Sequence, residues 1–178
     1  VVTGVHLNRN YGFTKKEILK EKFKIFSEFK IFDKKYFEKN DGTSMSEALG
    51  KVFIKLPKII EKSSPDLILS GFDIGANFAL VVCGAHMNIP VAHIQGGEVS
   101  GTIDESLRHA MSKFSNFHFT ATKETKNRLV KMGEIKKNIF VVGCPSIDAL
   151  KQEKDEEHSK IKKKFKIDIF KDLSLIHI

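Results

Sequence analysis

Apolar positions in this chain follow two distinct spacings. Between residues 45 and 60, Met45, Ala48, Leu49, Val52, Phe53, Leu56, Ile59 and Ile60 recur every three or four positions, the stripe of an amphipathic helix. Ser44 with Glu47 three residues later predicts a capping box at its start. The SSPD stretch (63–66) predicts its end, because proline drives the preceding residue out of helical backbone. Nearer the start, VVTGV reads as a strand end and FTKKEILKEKF as a short helix, whereas residues 23–42 give no clear period.

Downstream the pattern changes. Short apolar runs at 67–70, 91–95, 117–121 and 139–143 alternate with helical stretches at 75–87, 104–115 and 123–132. Strands that alternate with helices predict βαβ units, hence an α/β fold with a doubly wound parallel sheet covered on both faces. In such sheets ligands bind beyond the carboxyl ends of the strands. Three polar, glycine-bearing segments fall there: SGFDIGAN, QGGEVSGTIDE and GCPS. Their placement predicts that Asp73, Gln95, Glu98 and Asp104 converge on one crevice.

Composition narrows the field. The chain has 178 residues, 41% hydrophobic and 29% charged, which suits one globular domain. No apolar run approaches the length of about 20 residues that crosses a bilayer, and no secretory pattern opens the chain, so the expected location is the cytoplasm without membrane partners. The net charge is +8. Its lysines are scattered over helix faces and concentrated between 151 and 171 without interleaved aromatics or a nucleic-acid motif, so a nucleic-acid partner is not expected. A basic surface does attract an anionic metabolite. Cys83 and Cys144 lie far apart with no zinc-like spacing, and read as buried thiols.

The segments after the strands carry the chemistry. GFDIGAN lacks the lysine of a phosphate-cradling loop, and Asp73 also suits a plain helix cap. In QGGEVSGTIDESLRHA, Gly96 and Gly97 permit a tight turn or close ligand approach. Asp104 and Glu105 open a helix, where the dipole favours negative charge, and Arg108 stands four residues beyond Asp104. Three acids in one turn exceed what capping requires.

The stretch VAHIQGGEVSGTIDESLRHAMSKF resembles the corresponding part of hydrolysing UDP-N-acetylglucosamine 2-epimerases of sialic-acid and related sugar pathways. VTGVHLNRNYGFTKKEI and IFVVGCPSIDAL are similar to two other regions of that family, so the resemblance covers most of residues 1–150. It implies a glycosyltransferase-B-like architecture of two Rossmann-like domains with the site between them. Residues 1–150 would be the N-terminal domain without its first strand, and residues 151–178 a charged linker or helix whose LSLIHI end fits no family pattern. The nucleotide-gripping C-terminal domain would lie outside the chain, the whole enzyme would be a homo-oligomer, and the fragment alone would be inactive.

The implied reaction eliminates UDP across C1–C2 of the sugar and adds water to the resulting glycal, releasing a free N-acetylmannosamine-type sugar. It needs proton-transfer groups and no NAD or metal. By position, the resemblance assigns catalytic roles to Asp73, Gln95, Glu98 and Asp104, and substrate-binding roles to His6, Gly71, His93, Gly96, Gly97 and Arg108. Two departures stand out. Phe72 separates Gly71 from Asp73, and no arginine follows Asp73. Position 95 holds an amide where the family usually has glutamate, and an amide does not exchange a proton near neutral pH. Glu98 taking over that transfer, or a subgroup with another nucleotide sugar, fits the retained turn. A glycosyltransferase of the same architecture and a non-catalytic sugar-nucleotide binder are the rival expectations.

Overall fold

A computed structural model of the chain describes residues 1–33, 36, 39, 41–72, 75–152, 163–164 and 166. The chain divides into two compact units, Val1–Val142 and Gly143–Ile178. The first unit opens with β1 (Val2–Thr3), two 3-10 turns (Gly4–Leu7 and Arg9–Tyr11), α1 (Lys15–Lys20) and β2 (Glu28–Phe29). It continues with α2 (Gly42–Ser63), β3 (Ile68–Gly71), α3 (Gly75–His86), β4 (Val91–Ile94), α4 (Ile103–Lys113), β5 (Phe117–Thr120), α5 (Lys123–Lys131) and β6 (Ile139–Val141). The described part of the second unit includes α6 (Pro145–Gln152).

Helix α2 buries Ala48, Val52, Leu56 and Ile60, one residue every four positions, while Met45 stays exposed. Its start lies three residues before the predicted cap. Asp41 is the N-cap, and its Oδ1 accepts from the Ser44 amide at 2.8 Å and the Ser44 hydroxyl at 2.6 Å. The carboxylate accepts both donors, which leaves Ser44 inside the first turn and holds Asp41 below the usual carboxylate range. Pro57 sits within the helix. Proline removes one backbone donor, and the residue lies on the exposed side. The helix stops at Ser64, whose backbone is left-handed (φ 43°).

Among the described residues all strand pairings are parallel. β1 pairs with β2 in a small sheet, and β3-β4-β5-β6 form a four-stranded sheet in sequence order. When each strand adds beside the last through right-handed crossovers, the connecting helices share one face. The packing agrees. A Cβ at Gly84 of α3 would lie 2.7 Å from Ile68 Cδ1 and 2.9 Å from Val91 Cγ2, so the helix backbone rests directly on β3 and β4. His93 of β4 meets Ser112 of α4, and Lys126 of α5 donates to the Ile139 carbonyl of β6 at 2.6 Å. Cys83 is buried on α3, and burial raises its thiol pKa.

The register places Leu69, Ala92 and Phe117 in one row, and Ile94, Phe119 and Phe140 in the next, on the face opposite α3–α5. There Leu69, Phe117 and Phe140 are exposed, with the rings of Phe119 and Phe140 stacked 5.7 Å apart. The sequence pattern predicts cover on both faces; among the described residues, α3, α4 and α5 supply it on one.

Candidate functional site

The segment after β4 is tightly held by its neighbours. Gln95 follows the strand with φ 61°, a left-handed conformation rare for a side chain of its kind. Its amide donates to the Phe119 carbonyl at 2.8 Å, which ties the loop to β5. Gly96 and Gly97 then turn the chain back against the helices. A Cβ at Gly96 would lie 3.0 Å from both His93 Nδ1 and Ser112 Oγ. One at Gly97, where φ is 84°, would lie 2.6 Å from the Thr125 carbonyl oxygen and 3.1 Å from Leu129 Cγ. The double glycine is thus required by close packing against α4 and α5.

Two arginines grip this turn from different helices. Arg108 of α4 donates through Nη1 to the Glu98 carbonyl at 2.8 Å and lies 3.5 Å from Ser100 Oγ. Arg128 of α5 donates through Nη1 to the Gly97 carbonyl and through Nη2 to Glu124 Oε1 at 2.9 Å. The Glu98 residue itself is half-buried.

The two acids that open α4 have different surroundings. Thr102 is the N-cap; its Oγ1 accepts from the Asp104 amide at 3.3 Å and lies 3.2 Å from Asp104 Oδ2. Asp104 is exposed. Glu105 reaches back, and its Oε2 accepts the amides of Gly101 at 2.8 Å and Ser100 at 2.7 Å. Those two amides hold the Glu105 carboxyl below the usual carboxylate range. Glu105 therefore closes the loop, while Asp104 stays exposed beside it.

The remaining candidates are spread more widely. Gly71 ends β3 beside Ile94, and a Cβ there would sit 3.2 Å from Ile94 Cβ. The chain therefore leaves β3 next to the Gln95 turn, with the Gly71 carbonyl accepting from Asn77 Nδ2. Asp73 lies outside the described residues. His93 has no accessible surface, and its Nδ1 lies 3.1 Å from Ser112 Oγ. It supports the turn from beneath. His6 lies in the first 3-10 turn after β1, its Nδ1 2.8 Å from Thr14 Oγ1.

That neighbourhood holds a cavity of about 700 Å3 at the carboxyl ends of β1 and β2, lined by Gly4, Leu7, Asn8, Arg9, Phe13 and the 28–33 segment. Gln95, Glu98 and Asp104 do not line it. The structure thus gathers Gln95, Gly96, Gly97, Glu98 and Arg108 in one turn with Asp104 at the adjacent helix start, and puts His6 by a separate hollow. Sequence reasoning missed Arg128, Ser112 and Thr125. Arg128 stands four residues from Glu124, so in sequence it reads as half of a surface ion pair.

A second polar cluster is built around a buried histidine on the same sheet face. His118 of β5 is 1% exposed, with Nε2 3.3 Å from Glu134 Oε2, and Glu134 Oε1 lies 2.7 Å from Lys113 Nζ. Burial pushes the His118 pKa down, opposed by the Glu134 carboxylate. Among the described residues, no helix is long and apolar enough to cross a membrane, and no cluster of three or more His, Cys, Asp or Glu could hold a metal ion.

Comparison with known proteins fits this geometry. The family described as UDP-N-acetylglucosamine 2-epimerase matches residues 1–177. A Legionella pneumophila UDP-N,N'-diacetylbacillosamine 2-epimerase (hydrolyzing) is 37% identical across 98% of this chain and 45% of the relative. A Campylobacter jejuni GDP/UDP-N,N'-diacetylbacillosamine 2-epimerase (hydrolyzing) is 30% identical across 99% of this chain and 45% of the relative. Among solved structures, a Listeria monocytogenes protein described as a UDP-N-acetylglucosamine 2-epimerase superposes with a TM-score of 0.72 at 21% identity, over 90% of this chain and 41% of the other. The chain therefore spans somewhat under half the length of these relatives, and it belongs to the UDP-N-acetylglucosamine 2-epimerase family.

Proposed function

We propose that residues 1–142 form the sugar-facing part of a nucleotide-sugar 2-epimerase of the hydrolysing type. The substrate is UDP-N-acetylglucosamine or a related UDP- or GDP-linked 2-acetamido sugar, and the products are the nucleotide and a free N-acetylmannosamine-type sugar. The observation that carries this is the 95–98 turn. It stands at the carboxyl end of β4, its carbonyls are held by Arg108 and Arg128, and the side chains of Gln95 and Glu98 arise from it.

The reaction proceeds in two steps. A base takes the proton from C2 while the C1–O bond to the nucleotide breaks, leaving a 1,2-glycal and the nucleotide anion. Water then adds, its oxygen to C1 and a proton to C2 on the opposite face. Gln95 serves as a hydrogen-bonding group toward the sugar, because its amide does not exchange a proton near neutral pH. Glu98, three residues on in the same turn, supplies a carboxylate for proton transfer, with Asp104 at the start of α4 and Asp73 after β3 as the further acids. Gly71 and Arg108 complete the sugar-binding set beside the turn, His6 stands apart from it by the separate hollow, and buried His93 keeps Gly96 and Gly97 in place. The diacetylbacillosamine names of two relatives support a di-acetamido substrate as the first alternative to N-acetylglucosamine.

The test uses the full-length protein. Supplied with UDP-N-acetylglucosamine and with UDP-N,N'-diacetylbacillosamine in D2O, it releases UDP and a free 2-epimer carrying deuterium at C2. Failure to release nucleotide from any UDP- or GDP-linked 2-acetamido sugar overturns the proposal. Residues 1–178 alone are expected to release none, because the chain spans under half the length of the relatives it matches. The amide at position 95 supports one other reading, a sugar-nucleotide binder without turnover. In that case Gln95→Glu creates activity where the parent has none.

A further inference from the structure

The turn that carries Gln95 and Glu98 has little preference of its own for one shape. Gln95 and Gly97 both have left-handed backbone, at φ 61° and 84°. A side-chain-bearing residue in that region persists only where its surroundings hold it. The bonds that do so include the Gln95 backbone N–H to the Phe119 carbonyl, Arg108 to the Glu98 carbonyl, and Arg128 to the Gly97 carbonyl.

Arg128 is the most distant of these in sequence, 31 residues from Gly97. It belongs to α5, whose start is fixed by a capping box between Thr122 and Thr125. The same helix presents the Thr125 carbonyl and Leu129 as the wall against which Gly97 lies. Helix α5 therefore fixes both where the turn rests and which way the Gly97 peptide points. The ion pair of Arg128 with Glu124 is a lesser matter, since the Glu124 side chain is 80% exposed and exposed pairs contribute little.

We propose that Arg128 is a positioning residue for the reaction proposed above: by fixing the Gly97 carbonyl it sets the direction in which Gln95 and Glu98 project toward the sugar. It rests on the epimerase assignment for its chemistry but not for its geometry. Arg128 touches the backbone of the turn and neither Gln95 nor Glu98 side chains. Its loss acts through the shape of the turn, on proton transfer more than on nucleotide grip.

The experiment compares Arg128→Met, Arg128→Lys and Glu124→Gln in the full-length protein by two measurements. The first is hydrogen exchange of the 96–100 backbone amides. The second is kcat and KM for release of UDP from UDP-N-acetylglucosamine or the di-acetamido substrate, whichever the parent turns over. A hydrogen bond to a charged group shifts populations by about tenfold to a hundredfold. Arg128→Met speeds exchange by about that factor and lowers kcat by about that factor, while KM moves by less than about threefold. Arg128→Lys, which keeps one donor, recovers part of both, and Glu124→Gln stays near the parent.

Unchanged exchange, or faster exchange with parental kcat, overturns the proposal. So does a kcat loss that Glu124→Gln reproduces in full. A parent that turns over nucleotide sugar beside an unaltered Arg128→Met sinks the positioning role and leaves the epimerase assignment standing. An inactive parent overturns the epimerase assignment and the positioning role with it, and faster exchange in its Arg128→Met variant then shows only that Arg128 holds the turn.

Discussion

Replacing Gly97 with alanine separates two reasons for glycine at one position. The first is conformational: an L-residue at φ 84° costs about 1–2 kcal/mol relative to an ordinary backbone. The second is steric, because the new Cβ would lie 2.6 Å from the Thr125 carbonyl oxygen, a backbone atom that no rotamer change removes. Helix α5 must then move away from the turn, and overpacking of that kind costs about 1–3 kcal/mol. The expected destabilisation is about 2–5 kcal/mol, a large part of a typical folding free energy.

Gly101 is the matched control. Its φ is 68°, yet a Cβ there meets nothing within 4 Å. Gly101→Ala should cost only the conformational part, about 1–2 kcal/mol, less the gain from a stiffer unfolded chain. In a protein of this size 1 kcal/mol moves the melting temperature by about 2–4 °C. Thermal melts followed by far-UV circular dichroism should therefore place Gly97→Ala below Gly101→Ala by several degrees. Coincident melting temperatures would refute the argument, since they would mean that close contact between the turn and α5 adds nothing to backbone conformation.

Two other outcomes follow from the core. Gly84→Ala brings a Cβ to 2.7 Å from Ile68 Cδ1 and should destabilise by about 1–3 kcal/mol in urea denaturation; Ile68→Val, which removes that methyl, should recover part of the loss in the double variant and not alone. His118 has a folded pKa below its unfolded value of about 6.5, so the unfolded chain binds the extra proton. The stability of the parent, full above that pH, should fall as pH drops through it toward the lower folded value, and His118→Gln should flatten this dependence between pH 7.5 and 5.5 in urea midpoints; an equal slope in both proteins would exclude His118 as its source.

The order of strands and helices from β3 onward was legible because each apolar run is short, bounded by glycine, proline or a cap, and separated from the next by a helical period. The boundary of α2 was not, since Asp41 caps it by reaching the amide and hydroxyl of Ser44, and a carboxylate before a glycine gives a weaker sequence signal than Ser44 with Glu47. The 93–110 segment stood out in sequence by its residue types. What the sequence does not carry is the division of labour: nothing in one dimension tells that Glu105 spends its carboxylate on two loop amides while Asp104 stays exposed, or that Arg128 crosses to Gly97. Asp73, a candidate acid on the same argument, lies outside the described residues.

The one-way order of β3 to β6 also bears on how the chain acquires its shape. From β4 onward every strand of that sheet bonds to the strand made just before it, so each new pairing closes a loop of modest length, and short closures favour fast assembly. Maturation can then run from β3 toward β6, with each βαβ unit serving as the template for its successor. Under native-state hydrogen exchange such a ladder should open in steps from its β6 end, and not all at once.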